Sequence, residues 1–235
     1  MESDLGPAQK GNTSGVAPPP LAATILAAGL GQRLGWRAKA TLQIDGMSLL
    51  ERLVSALQQA GMAAESVVIG PYREQLLPLI ERSGALALTH RLASPSLIDS
   101  QRLALDMHQT RFGSHDLLLV LADLPLLGAS DMAPLVSAWH QRATSVHALM
   151  PLVDGTRGHP LLLSRHAVAQ VAAMPRHLGV RDWMKQNPGA VQPLSMANPA
   201  YVTDLDTPDD VIRLQQQVHP LPVLWPSPCA QPEDR

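Results

Sequence analysis

Three short segments carry residues whose types and spacing suit chemistry on phosphate. The first is Leu26-Ala27-Ala28-Gly29-Leu30-Gly31-Gln32-Arg33-Leu34-Gly35-Trp36-Arg37-Ala38-Lys39. Glycines let the backbone approach a phosphate closely, and amides in such turns point at its oxygens. Arg33 can fork onto phosphate, and Lys39 adds a point charge. The plainer alternative is a glycine-rich connector with solvated basic side chains, because short Gly-x-Gly matches are common. The second segment is Val120-Leu121-Ala122-Asp123-Leu124-Pro125. A carboxylate at the tip of an apolar run is costly unless it is paired, hydrogen-bonded or bound to metal. Its plainer role is to accept amide hydrogen bonds in the turn before Pro125. The third is Asp204-Leu205-Asp206. Period-2 alternation puts both carboxylates on one face. Magnesium is typically held by one or two carboxylates plus substrate phosphates. Asp123 with Asp206, or with Asp204, would make such a site, and Asp206 is slightly preferred. The plainer role of these acids is to favour the N-terminus of a following helix.

Other candidates are weaker. Gly155-Thr156-Arg157-Gly158-His159-Pro160 places polar residues between two strand patterns, as a hairpin loop would. His90, His140 and His147 have no ligand spacing, so no zinc site is expected. A dinucleotide fingerprint fails, because its third glycine falls on Leu34 and the second strand closes in Gly70, not an acid. A P-loop fails too, because Lys39 lacks the preceding glycine and the following Ser or Thr.

The elements that must position these segments alternate. Short apolar runs at 22–27, 66–69, 85–89, 117–122 and 148–153 read as strands, with a return strand at 160–163 after an Asp154-Gly155 turn. The run at 117–122 is the most apolar and implies burial on both faces. Helical spacing covers 49–57, 76–80, 97–107, 129–141, 165–174 and 180–186. Thr207 can cap a last helix, with Pro208 at its first position and Asp210 closing a capping box. This alternation implies a mostly parallel sheet with helices on both faces, where ligands bind at the carboxyl ends of strands.

Composition bounds the rest. The chain has 235 residues, a net charge of -2, 46% apolar and 16% charged residues. It can build a core, and it lacks the basic footprint that nucleic acid requires. Aromatics at 3% do not make base-stacking platforms. A single cysteine excludes internal disulfides. No apolar run approaches the length of a membrane span, and the N-terminus has no signal-peptide pattern. A soluble, cytoplasmic protein is expected, away from nucleic acid and membrane. Residues 1–20 read as a mobile tail, 21–217 as the folded domain, and 218–235 as a Pro-rich tail.

In order, the segments resemble the nucleotidyltransferases of the molybdenum-cofactor cytidylyltransferase and guanylyltransferase kind, within the MobA-like NTP transferase family. The resemblance rests on Leu26 to Gly35 with Lys39, on Leu121-Ala122-Asp123-Leu124-Pro125, on Arg157-Gly158-His159-Pro160, and on Asp204 to Asp210. It covers about residues 21–214. It implies a Rossmann-like three-layer α/β sandwich of the nucleotide-diphospho-sugar transferase type. It further implies transfer of a nucleoside monophosphate from an NTP to a phosphorylated acceptor. Carried over residue by residue, it implies nucleotide contacts from Leu26, Ala27, Ala28, Gly29, Gly31, Arg33, Lys39 and Gly70, with Arg33 and Lys39 catalytic. Mg2+ would sit on Asp123 and on Asp206 or Asp204. Arg157, Gly158, His159, Ser96 and Ser100 would meet the acceptor. Two departures stand out. Ala38 replaces a common proline, and the stretch from His90 to Leu103, with Ser94, Ser96 and Ser100 but no glycine, stands where the family commonly has Gly-x-x-Ser-Ser-Leu. Leu26-Ala27-Ala28-Gly29 matches cytidylyl-transferring members, which points to CTP and a molybdopterin acceptor, with a molybdoenzyme or chaperone to receive the product. GTP, or a sugar phosphate or methylerythritol phosphate acceptor, is the alternative. A nucleotide-binding regulatory module without catalysis is the alternative of another class.

Overall fold

An unbroken apolar run needs both of its faces covered. Strands β1 (Leu21–Ala27) and β6 (Asp116–Leu121) meet that need by lying side by side in the middle of an eight-stranded sheet. The computed structural model describes residues 19–226. The other strands of this sheet are β4 (Ala64–Ile69), β5 (Leu86–Thr89), β7 (Ala148–Val153), β8 (Thr156–Arg157), β9 (Leu161–Leu163) and β10 (Val191–Ser195). Their order is β10-β7-β9-β6-β1-β4-β5, with β8 paired to β7. The β6-β1-β4-β5 half is parallel, and β9 runs antiparallel between β6 and β7. Asp154 and Gly155 both take positive φ in the β7–β8 hairpin, the type I′ pattern.

Alternate residues of β1 feed two cores. Ala23 and Ile25 pack with α1 (Leu49–Gln59), α2 (Arg73–Ser83) and α4 (Ala129–Gln141). Leu26 packs on the other face with α3 (Leu97–Phe112), α5 (Arg165–Ala173) and α6 (Val180–Gln186). The result is the three-layer α/β sandwich expected. Capping boxes start the helices locally: Ser48 with Glu51, Ser96 with Asp99, and Thr207 with Asp210 at α7 (Pro208–Gln217).

A third, smaller core was not anticipated. It gathers Leu34, Leu42, Ile44, Leu49, Leu205, Leu214 and Val223 beneath a three-stranded sheet. That sheet joins β2 (Gln43–Ile44) and β3 (Met47–Ser48) around Asp45-Gly46, and adds β11 (Val223–Leu224) to β2. The Pro-rich segment expected to leave the fold at 218 therefore rejoins it. Val223 is buried, and its N–H donates to the Gln215 side chain. Of the tails expected at 1–20 and 218–235, residues 1–18 and 227–235 lie outside the described residues. Strand β10 was also missed, because Pro193 and its polar neighbours mask an edge strand. Residues 201–206 form no strand. A 3-10 turn (Pro199–Tyr201) leads into irregular backbone, and the Leu205 N–H donates to the Asp123 carbonyl at 2.9 Å.

Candidate active site

The glycine-rich segment folds back on itself at the carboxyl end of β1. Gly31 and Gly35 have φ of 55° and 72°. A side chain at Gly31 would place its first carbon 2.0 Å from the Arg37 carbonyl oxygen, so only glycine fits there. The Gly31 carbonyl accepts from the N–H groups of Leu34 and Trp36 at 2.9 and 3.0 Å. The Tyr72 hydroxyl donates to the Leu30 carbonyl at 2.8 Å and pins the loop from outside. Two buried leucines then bring the chemistry together. Leu34 and Leu205 share the small third core. Each flanks charged residues, Arg33 in one case and Asp204 and Asp206 in the other, and turns them toward a common opening.

Arg33, Lys39, Asp123 and Asp206 form one charged network. The Lys39 ammonium donates to Asp123 Oδ2 at 2.8 Å and to Asp206 Oδ1 at 2.5 Å. Arg33 Nη2 donates to Asp206 Oδ2 at 2.6 Å. Burial alone would lower the Lys39 pKa, but the charges and hydrogen bonds of Asp123 and Asp206 overcome it and raise it. The Lys39 hydrogen bond, joined by the Lys39 and Arg33 charges, overcomes partial burial and lowers the Asp206 pKa. Asp204 is exposed and shifts the other way. Desolvation raises it, and the charges of Asp206 and Asp123 add to that. Asp206 is thus tied into the network, whereas Asp204 stands at its edge. Asp123 Oδ1 is buried without a hydrogen-bond partner among the described residues. A buried carboxylate oxygen with an unused lone pair fits a cation, and a hard divalent ion suits an all-carboxylate donor set.

A cavity of about 230 Å³ opens beside this network. Leu26, Ala27, Ala28 and Gly29 line it together with Pro95, Ser96, Leu97, Ser100, Lys39 and Asp123. The two serines serve the helix. The Ser96 hydroxyl caps α3 through Asp99, and Ser100 Oγ donates to the Ser96 carbonyl at 3.1 Å. Gly70 is not part of the lining. It abuts Ala28 from behind, where a first side-chain carbon would lie 3.1 Å from the Ala28 carbonyl oxygen.

Gly158 and His159 are held by the turn that leads to Asp204, and Arg157 pairs with Leu152 of β7. A side chain on Gly158 would lie 2.4 Å from the Tyr201 carbonyl oxygen, which also accepts the His159 N–H at 2.9 Å. Arg157 is exposed on β8 and makes no ion pair among the described residues. Desolvation lowers the pKa of His159, while the Leu119 carbonyl, 3.4 Å from Nδ1, and the Asp123 charge oppose it. Sequence reasoning missed Tyr72 and Tyr201. Both act through backbone carbonyls, which leave no residue-type signal.

The family model of the MobA-like NTP transferase domain matches residues 23–191. The bifunctional protein GlmU of Xanthobacter autotrophicus is 30% identical over 112 residues, 46% of this chain and 24% of that protein. The chain therefore spans about a quarter of the length of that curated relative. Rv0371c of Mycobacterium tuberculosis H37Rv shares the fold, with a TM-score of 0.71 and 20% identity over 86% of this chain and 100% of that one. Its complex with manganese gives a TM-score of 0.67, at 20% identity over 85% of this chain and 100% of that one. The 4-diphosphocytidyl-2C-methyl-D-erythritol synthase of Anaerococcus prevotii gives 0.64 at 12% identity, over 85% and 96% of the two chains. With most of its length, including the glycine-rich loop and Asp123, inside the matched region, the chain belongs to the MobA-like NTP transferase family.

Proposed function

We propose that the protein moves CMP from CTP to a molybdopterin-type acceptor and releases pyrophosphate, with Mg2+ held by Asp123 and Asp206. The observation that carries the reading is the convergence of Arg33, Lys39, Asp123 and Asp206 beside one cavity. An acceptor phosphate oxygen bonds to the α-phosphorus of CTP while the bond to the β-phosphate oxygen breaks. Pyrophosphate leaves with the electron pair, so no protein nucleophile is needed. Such transfer depends on positioning and on preorganised charge. Arg33 and Lys39 hold the triphosphate and neutralise charge on the leaving pyrophosphate. A divalent ion, when bound, supplies further neutralisation of the phosphate oxygens. Arg157, exposed and without an ion-pair partner among the described residues, meets the anionic acceptor beside His159.

Preference for CTP rests on Ala28. Ala28 lines the cavity, and glycine at this position would leave more room for a purine. One methyl gives a preference, not absolute choice. The name of the Anaerococcus protein, a diphosphocytidyl compound synthase, agrees with a cytidine nucleotide on this fold. The test is competition between CTP and GTP at equal concentration with molybdopterin present. CMP joining the acceptor in excess supports the reading. GMP incorporation equal to or above CMP overturns the cytidylyl assignment.

A further inference from the structure

We infer that Tyr72 is a positioning residue for the glycine-rich loop: its hydroxyl fixes the Leu30–Gly31 peptide so that the Gly31 N–H faces the triphosphate. The inference rests on the proposal that this site takes a nucleoside triphosphate, and it concerns the phosphates, not the nucleobase.

Tyr72 follows β4 and stands directly before α2. Its ring packs against the core that holds Ala23 and Ile25, so the hydroxyl is presented from a firm anchor. The hydroxyl donates to the Leu30 carbonyl at 2.8 Å. Burial raises the Tyr72 pKa, which keeps the hydroxyl protonated and a donor. In a planar trans peptide, the C=O and N–H of one unit point in opposite directions. A hydrogen bond that draws the Leu30 carbonyl toward Tyr72 therefore turns the Gly31 N–H away from it. Sheet order gives that direction a meaning. β4 lies on one side of β1 and β6 on the other, and Asp123 follows β6. Turned from the β4 side, the Gly31 N–H faces the side where Asp123 meets Lys39. That N–H has no hydrogen-bond partner among the described residues. The next peptide is held from within the loop, because the Gly31 carbonyl accepts from Leu34 and Trp36. The Leu30–Gly31 peptide instead depends on one side chain from outside. Glycine leaves its own backbone free to rotate, so without the hydroxyl this peptide turns more easily. A donor set in place before binding costs no reorganisation when charge arrives.

Tyr72→Phe removes the hydroxyl and keeps the ring and its packing. Equilibrium binding of CTP and CMP to the full chain, by displacement of a fluorescent nucleotide, reads the effect. We expect the variant to weaken CTP roughly tenfold, the scale of one hydrogen bond to a charged group, and CMP by less than about threefold. A merely structural hydroxyl would weaken both nucleotides alike. Thermal unfolding followed by circular dichroism should stay close to wild type. CTP affinity unchanged in the variant, or an equal loss for CTP and CMP, overturns the role of Tyr72 and leaves the triphosphate site standing. A wild-type protein that binds no CTP overturns the site reading and this inference together.

Discussion

The Lys39 ammonium lies 2.8 Å from Asp123 Oδ2, joining a phosphate-binding candidate to a metal-binding candidate across 84 residues of sequence. The same ammonium reaches Asp206, and Arg33 covers the other Asp206 oxygen. The cations and carboxylates thus compensate one another within the protein. If the proposed metal and triphosphate bind here, phosphate oxygens would take over Arg33 and Lys39, and Asp123 and Asp206 would be freed to hold the metal. Lys39→Met should lower transfer by about two orders of magnitude or more, as loss of a preorganised transition-state charge does. It should also tighten binding of manganese without nucleotide, because the competing ammonium is gone. Titration of free manganese by electron paramagnetic resonance checks the second effect, and weaker binding in the variant would contradict it.

Asp123→Asn keeps the shape of the side chain and removes its charge. Transfer should fall at least about a hundredfold, with the thermal transition close to wild type. Asp206→Asn should cost more activity than Asp204→Asn, because Asp206 meets both Arg33 and Lys39 while Asp204 is exposed. Steady-state kinetics over a magnesium series separates the two, and a larger defect in Asp204→Asn would reverse the assignment.

Arg102 is a structural counterpart to the active-site charges. It is buried, with no carboxylate partner among the described residues, and its guanidinium donates to the carbonyls of Val171, Ala172, Met174, Pro175 and Leu178. It closes the end of α5 and joins it to α3. Each buried acceptor left unpaired costs about 1–3 kcal/mol. Arg102→Met should therefore destabilise the protein by at least about 3 kcal/mol in urea unfolding. A change below about 1 kcal/mol would show that water replaces the guanidinium freely.

The helix that follows Asp206 gives a pH signature. Burial alone would raise the Asp210 carboxyl. Hydrogen bonds from the Thr207 hydroxyl, the Asp206 and Thr207 amides and Arg213 overcome that and hold it at about 2. A depressed folded pKa stabilises fully above the unfolded value near 3.8 and loses that stabilisation as pH falls toward 2. Asp210→Asn should lower stability by about 1 kcal/mol at neutral pH, the scale of a lost cap, and flatten the acid limb of a stability–pH curve. An acid limb identical to wild type would contradict the capping role.

The sequence made the two-sided core legible because uninterrupted apolar strands such as β6 can only be central. The helix starts were legible where Ser48, Ser96 and Thr207 begin capping boxes. Gly31, Arg33, Lys39 and Asp123 stood out by residue type at strand ends. The third core was not legible. Its members are single leucines, isoleucines and valines scattered from Leu34 to Val223, with no local period. Gly70 entered as a nucleotide contact only through the family resemblance, and the structure packs it against Ala28. The pairing of Lys39 with both aspartates was likewise invisible, because it depends on Leu34 and Leu205 meeting in that unforeseen core.

Pyrophosphate release from CTP by the full chain, measured with and without molybdopterin and with and without magnesium, tests the central claim most directly. The account predicts release that requires acceptor and metal together, accompanied by one CMP joined to acceptor per pyrophosphate, and lost in Lys39→Met and Asp123→Asn. Release at the same rate without acceptor or without metal, or undiminished in both variants, would contradict it.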